Sequence, residues 1–114
     1  MNGNAAENRA LALLQKRGLS LVARNWRCRA GELDLVMRDG ETVVVAEVRS
    51  RARNDFGAAA ETVDARKQRK LVAAARLFLA GRPELSDRPV RFDVVALDGA
   101  EIEWLQGAFE PGEP

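Results

Sequence analysis

Three carboxylates interrupt the most apolar stretch of the chain. In "GELDLVMRDGETVVVAEVR", residues 31–49, Glu32, Asp34 and Glu47 stand among valine, leucine and methionine. The chain has no histidine and no tyrosine and only one cysteine, Cys28. Histidine acid–base catalysis and His/Cys zinc sites are therefore excluded. Chemistry at this stretch must use carboxylates, Lys, Arg or Ser/Thr. Paired carboxylates have two uses: they hold a hard divalent cation, or they pair with arginines in a purely structural role.

Backbone periodicity decides whether these acids converge. Taking Asp39-Gly40 as a tight type I′ turn pairs Arg38 with Glu41, Val36 with Val43, Asp34 with Val45 and Glu32 with Glu47. Alternation then places Glu32, Asp34, Val36, Val45, Glu47 and Arg49 on one face. Leu33, Leu35, Met37, Val44, Ala46 and Val48 form an apolar opposite face. Two ionised carboxylates ~6 Å apart repel by roughly 3 kcal/mol at an effective dielectric near 20. A divalent cation between them reverses that sign. Oxygen ligands at this spacing suit Mg²⁺ or Mn²⁺, which can polarise a phosphodiester and activate a water. The competing account is a solvated sheet face. Val36, Val43 and Val45 on the same face argue instead for cover by a helix, and acids under a helix need a reason.

The elements that must position these residues follow in order. Residues 5–17 have helical spacing, with Ala10, Leu11 and Leu14 on one face and Gly18 as the stop; Glu7 falls on that apolar side. Residues 20–28 suit a strand, and 32–38 with 42–49 the hairpin. Residues 50–57 are polar and loop-like. Asp64 is placed to cap a helix reaching Ala80, with Leu71, Ala74, Ala75 and Phe78 as its buried stripe and Gly81 beyond. A proline-bounded loop at 82–89 leads to a strand at 90–97 and a last strand near 101–105. The tail 107–114 is expected to be irregular, with Phe109 docked. The expectation is one domain over residues 1–114, an α/β fold with a mixed sheet in the order α-β-β-β-α-β-β.

Composition narrows the class. With 114 residues, 46% hydrophobic and 31% charged, the chain suits a single soluble core. No apolar run approaches the ~20 residues that span a bilayer. The opening "MNGNAAENRA" resembles no secretory leader, and one cysteine cannot form an internal disulfide, so the expected setting is cytoplasmic. Net charge is +1, but it is unevenly placed: residues 1–82 carry +7 and residues 83–114 carry −6. The basic part includes "RNWRCR", "RSRAR" and "ARKQRK", which suit phosphate contacts or a solvated surface.

"GELDLV", followed thirteen residues after its Asp by "AEVRSR", resembles the small bacterial YraN-type proteins. These in turn resemble Holliday-junction resolvases of the PD-(D/E)XK superfamily. The likeness extends through "AENRALALLQKRG", "FGAAAETVDARKQRKLVAAARLFL" and "RFDVVAL". It implies a restriction-endonuclease-like fold and metal-dependent cleavage of DNA, branched or structured substrates included, by a homodimer. It assigns Asp34 and Glu47 as Mg²⁺ or Mn²⁺ ligands with the Val48 carbonyl beside them, and Glu7 as the helix-borne acid. Arg49 stands where the family pattern has Lys. Arginine stays charged and cannot act as a base, so Arg49 either stabilises transition-state charge or merely pairs with Glu47 or Asp34. Arg51 matches an arginine of the family and is assigned to phosphate.

Other candidates come from the residues alone. Lys67, Arg69 and Lys70 suit the DNA backbone or a solvated helix turn. Gln68 suits a water or phosphate, or plain surface. Glu32 is a site acid or a partner of Arg27 or Arg29. Asp93 either overlies the site or pairs with Arg91. Trp26 and Trp104 either stack on bases or pack half-buried. A catalytically impaired nucleic-acid-binding module on the same fold is the alternative function, favoured by the arginine at 49.

Overall fold

The structure, a computed structural model, describes residues 4–50 and 63–111. Its elements are α1 (Asn4–Lys16), β1 (Ser20–Cys28), β2 (Gly31–Asp39), β3 (Thr42–Ser50), α2 (Ala65–Ala80), β4 (Val90–Asp98) and β5 (Glu101–Phe109). The strands form one sheet in the order β1-β2-β3-β4-β5. Every neighbouring pair is antiparallel except β3 and β4, which run parallel. That one parallel pair needs a crossover, and α2 lies within it. The fold is thus mixed α/β with an open five-stranded sheet and two helices. Among the described residues, no helix is long and apolar enough to cross a membrane.

Each face of the sheet has its own core. On one, Leu71, Ala74, Ala75 and Phe78 of α2 pack on Val36, Val43, Val45, Phe92, Val94 and Ala96. On the other, Ala10 and Leu14 of α1 pack on Leu35, Met37, Val44, Ala46, Val95 and Leu97. The α2 stripe is the one its periodicity predicts. Asp64 caps α2 as expected, its Oδ1 accepting the Lys67 N–H at 2.8 Å. At the end of α1, Leu19 N–H donates to Leu14 O and Gly18 N–H to Gln15 O, both at 3.0 Å. This is a Schellman stop, and Gly18 at φ 96° supplies its left-handed residue.

Three expectations need correction. The β2–β3 turn is Gly40-Glu41, because Asp39 pairs with Thr42. Gly40, at φ 59°, takes the first loop position, which a type II′ turn reserves for glycine. The register is therefore two residues from the one expected: Val36 faces Val45 and Leu35 faces Ala46. An even shift does not by itself exchange the two faces.

Leu33 is the second correction. It lies in the α2-side core, not with Leu35 and Met37. Leu33 and Val36 share a face although three residues apart, and so do Ala23 and Trp26 on β1. Alternation is broken in both strands at the same level, where Arg24 pairs with Leu35 and Trp26 with Leu33. Between them lies Asn25 at φ 53°, a left-handed conformation that asparagine tolerates better than most residues.

The third concerns the tail. β5 continues to Phe109, so residues 107–109 are strand. Asp93 Oδ1 accepts the Gly107 N–H at 2.9 Å, and Phe109 stacks on Phe92 with ring centroids 5.0 Å apart. These contacts carry the strand past the irregularity opposite Phe92 and Val94, where Gly107 adopts φ 60°.

Candidate functional site

Asp34 sits at the level of Asn25, where the alternation of faces breaks in β1 and β2. Its Oδ2 accepts the backbone N–H of Val48 at 2.9 Å. The β2–β3 ladder runs as far as Leu35 and Ala46, and its register extended by one residue sets Asp34 across from Glu47. A side chain thus replaces a ladder bond beside the second acid.

Glu47 lies between buried β3 and the first turn of α2. It is only 4% exposed, one of two buried charged residues among those described. Its Oε2 lies 3.4 Å from Lys67 Nζ and 3.8 Å from Arg49 Nε. Its Oε1 is buried and meets no hydrogen-bond donor among the described residues. The Glu47 carboxyl is pushed up to about 7, first by burial, then by the negative charge of Asp34 and by the hydrogen bond that its protonated form makes to Asp34; Lys67 and Arg49 oppose the shift. An acid that titrates near neutrality, with a bare buried oxygen beside a second carboxylate, has a geometry that a cation would satisfy. The donor set is all oxygen, which fits Mg²⁺ or Mn²⁺, ions that keep several waters and take one or two carboxylates.

The structure brings together Asp34, Glu47, Val48, Arg49 and Lys67. It separates others. Glu7 is on α1, across the sheet from α2, and its Oε1 lies 3.5 Å from Arg24 Nη2. That oxygen is also buried without a hydrogen bond. Among the described residues, no three acidic or cysteine side chains are grouped to hold a metal. Glu32 pairs with Arg27 at 3.1 Å at the surface, the second of its two expected roles. The Gln68 side-chain amide donates to Val63 O at 3.0 Å and so braces the entry to α2. Lys70 is exposed, lying over Gly31. Arg51 lies outside the described residues.

Asp93 belongs to a different device. It is 1% exposed. Arg91 grips it with Nε and Nη2 at 2.9 and 3.0 Å, and Trp104 Nε1 donates at 2.9 Å. Together with Gly107 N–H, these donors satisfy the carboxylate and lock β5 to β4. Trp104 packs with the α1-side core, so this network lies on the face away from α2. The simpler of its two readings, a partner for Arg91, is the one observed. Trp26 packs edge-on to Phe78 at 5.1 Å, a core contact.

Sequence reasoning missed that Lys67 turns inward to Glu47. Twenty residues separate them, and only the crossover through α2 brings them together. The one sequence signal was the Asp64 cap, which fixes the helix phase.

Comparison with known proteins agrees with the resemblance at family level. Residues 6–97 match the model of the Uncharacterised protein family UPF0102. A UPF0102 protein of Pseudomonas putida strain GB-1 is 54% identical over 113 residues, covering 95% of this chain and 92% of the relative. A UPF0102 protein of Ralstonia nicotianae is 55% identical over 112 residues, covering 94% and 85%. The family model spans both acids, and the relatives match over nearly the whole chain: the chain belongs to the UPF0102 family, the family of the YraN-type proteins.

Proposed function

We propose that the protein is a Mg²⁺- or Mn²⁺-dependent endonuclease acting on DNA, with branched or structured DNA as its substrate. One observation carries the reading: Glu47 is buried beside Asp34 with a bare oxygen and a carboxyl raised to about 7. A merely structural acid would be satisfied by its neighbours, as Asp93 is. Asp34 and Glu47 would hold the cation, with the Val48 carbonyl as a further ligand; Glu7, which lies on α1 at the other face of the sheet and pairs with Arg24, is not part of this acid pair. A bound divalent ion would polarise the phosphodiester and lower the pKa of a nearby water. Arg49, 3.8 Å from Glu47, supplies fixed positive charge for the phosphate in the transition state. The mixed sheet suits the restriction-endonuclease-like architecture that the sequence motifs resemble.

The branched substrate and a homodimer rest on that resemblance; symmetric cutting of two strands requires two sites. Arg51 and Lys70 are assigned to the DNA backbone. A cytoplasmic setting fits the single cysteine and a DNA substrate.

Arg49 favours a second reading, in which the same fold binds nucleic acid without cutting it. Incubation of four-way junction and linear duplex DNA with Mn²⁺, wild type beside Asp34→Asn and Glu47→Gln, separates the two. Cleavage that both substitutions abolish supports the nuclease. Salt-dependent binding without cleavage, unchanged by either substitution, supports the binding module.

A further inference from the structure

The basic first turns of α2 are poorly explained by helix stability. Arg66, Lys67, Arg69 and Lys70 fall within its first six residues, and its first turn holds no acid. A helix N-terminus is already positive, so the cations of the first turn, Arg66 and Lys67, are unfavourable there. Such an end is suited to an anion. Three of these cations, Arg66, Arg69 and Lys70, are exposed. Lys67 turns to the sheet, with its side chain 36% exposed and its ammonium 3.4 Å from Glu47 Oε2. The Asp64 cap bond to the Lys67 N–H fixes the backbone from which it projects.

The distribution of charge around Glu47 is uneven. Lys67 and Arg49 both approach Oε2, from different elements, while Oε1 remains bare in the interior. In the metal-free protein the two cations, Lys67 and Arg49, balance the two carboxylates, Glu47 and Asp34. A cation engaging Glu47 and Asp34 would make a second positive group on Oε2 redundant and repulsive. Lysine differs from arginine here: its ammonium is a compact charge with three rotatable donors on a flexible stem. It can turn from a carboxylate to another oxygen anion without its backbone moving.

We propose that Lys67 is a catalytic residue of this site: it holds Glu47 in the metal-free protein, and when a divalent cation takes the acid pair it turns to donate to a non-bridging oxygen of the scissile phosphate. The inference rests on the nuclease reading above and deepens it. It moves Lys67 from the general DNA-binding surface to the reacting centre and makes it, with Arg49, the cationic half of the site.

The test uses the full chain, Lys67→Gln, with two readouts and a thermal melt to confirm folding. Titration with Mn²⁺ alone is expected to give several-fold tighter binding than wild type, because a competing cation has gone. Cleavage of junction DNA at saturating Mn²⁺ is expected to fall on the order of 100-fold, the usual effect of losing one transition-state donor. Lys67→Arg, which keeps the charge against Glu47, is expected to leave Mn²⁺ affinity near wild type while still cleaving slowly, since its rigid planar fork cannot reproduce the compact, rotatable donors of the ammonium. Wild-type cleavage by both variants would reduce Lys67 to a counter-ion and overturn this proposal alone. So would weaker Mn²⁺ binding by Lys67→Gln. A wild type that neither binds Mn²⁺ nor cleaves would overturn the nuclease reading itself, and this proposal with it.

Discussion

The Asp34 carboxylate accepts the backbone N–H of Val48 at 2.9 Å, so one acid of the candidate site also closes a gap in the sheet. The bond explains why a carboxylate can stand inside a hairpin without unravelling it. It also separates two properties that substitution can dissect. Asp34→Ala leaves a part-buried amide without an acceptor and is expected to destabilise the fold by about 1–3 kcal/mol. Asp34→Asn keeps an oxygen for Val48 and is expected to lose less than about 1 kcal/mol, while losing Mn²⁺ affinity as fully as the alanine variant. Urea denaturation beside Mn²⁺ titration measures both.

Glu47 makes stability depend on pH near neutrality. Its folded carboxyl is raised from 4.5 to about 7. The folded protein therefore binds more protons than the unfolded chain between those values. Stability from this group is fully present below about pH 4.5 and is lost as pH rises through about 7. The loss is on the order of 3 kcal/mol, since Glu47 is nearly fully buried. Glu47→Gln is expected to remove this slope and to be more stable than wild type at pH 8 in the absence of metal. Denaturation midpoints at pH 5 and pH 8 for the two proteins provide the check.

The same proton competes with a metal. Below about pH 7 the site must release it before binding, so Mn²⁺ affinity is expected to weaken by about tenfold per pH unit between 7 and 5 and to level off above 7. Titration across that range, with proton release read from buffers of different ionisation enthalpy, tests this directly. Flat affinity across the range would mean that Glu47 is not a ligand.

Asp93 is expected to behave as a structural acid. Asp93→Ala strands the Arg91 guanidinium, the Trp104 indole N–H and the Gly107 amide together. The cost should be about 3–5 kcal/mol, typical of a buried charge pair broken on one side. If the variant remains folded at low temperature, its Mn²⁺ affinity should match wild type, because the network lies on the other face of the sheet. Linked losses of stability and metal affinity would contradict that separation.

Periodicity made much of this legible. The helix stripe of Leu71, Ala74, Ala75 and Phe78 and the opposed faces of Val36 and Met37 follow from spacing alone. The hairpin register did not, because "DG" is compatible with glycine at either loop position; an even slip then hid the error, since the faces stayed the same. Leu33 was misplaced because alternation cannot anticipate the left-handed residue at Asn25. That Asp34 and Glu47 converge could be read because both lie in one hairpin, but the expected register paired Asp34 with Val45, and only the observed one sets it across from Glu47. Lys67 could not be placed against Glu47, since the crossover between them sets their distance. Glu7 was correctly placed on the inward side of α1, yet its partner Arg24 comes from a neighbouring strand that helical spacing does not report.

The most direct test of the central claim is isothermal titration of the protein with Mn²⁺ at pH 8, alone and with junction DNA present, wild type beside Asp34→Asn and Glu47→Gln. The account predicts binding by the wild type that both substitutions abolish while the fold persists. A folded wild type that takes up no Mn²⁺ even with DNA bound, or binding that survives both substitutions, would contradict it and leave the two acids as ion-pair partners for Lys67 and Arg49.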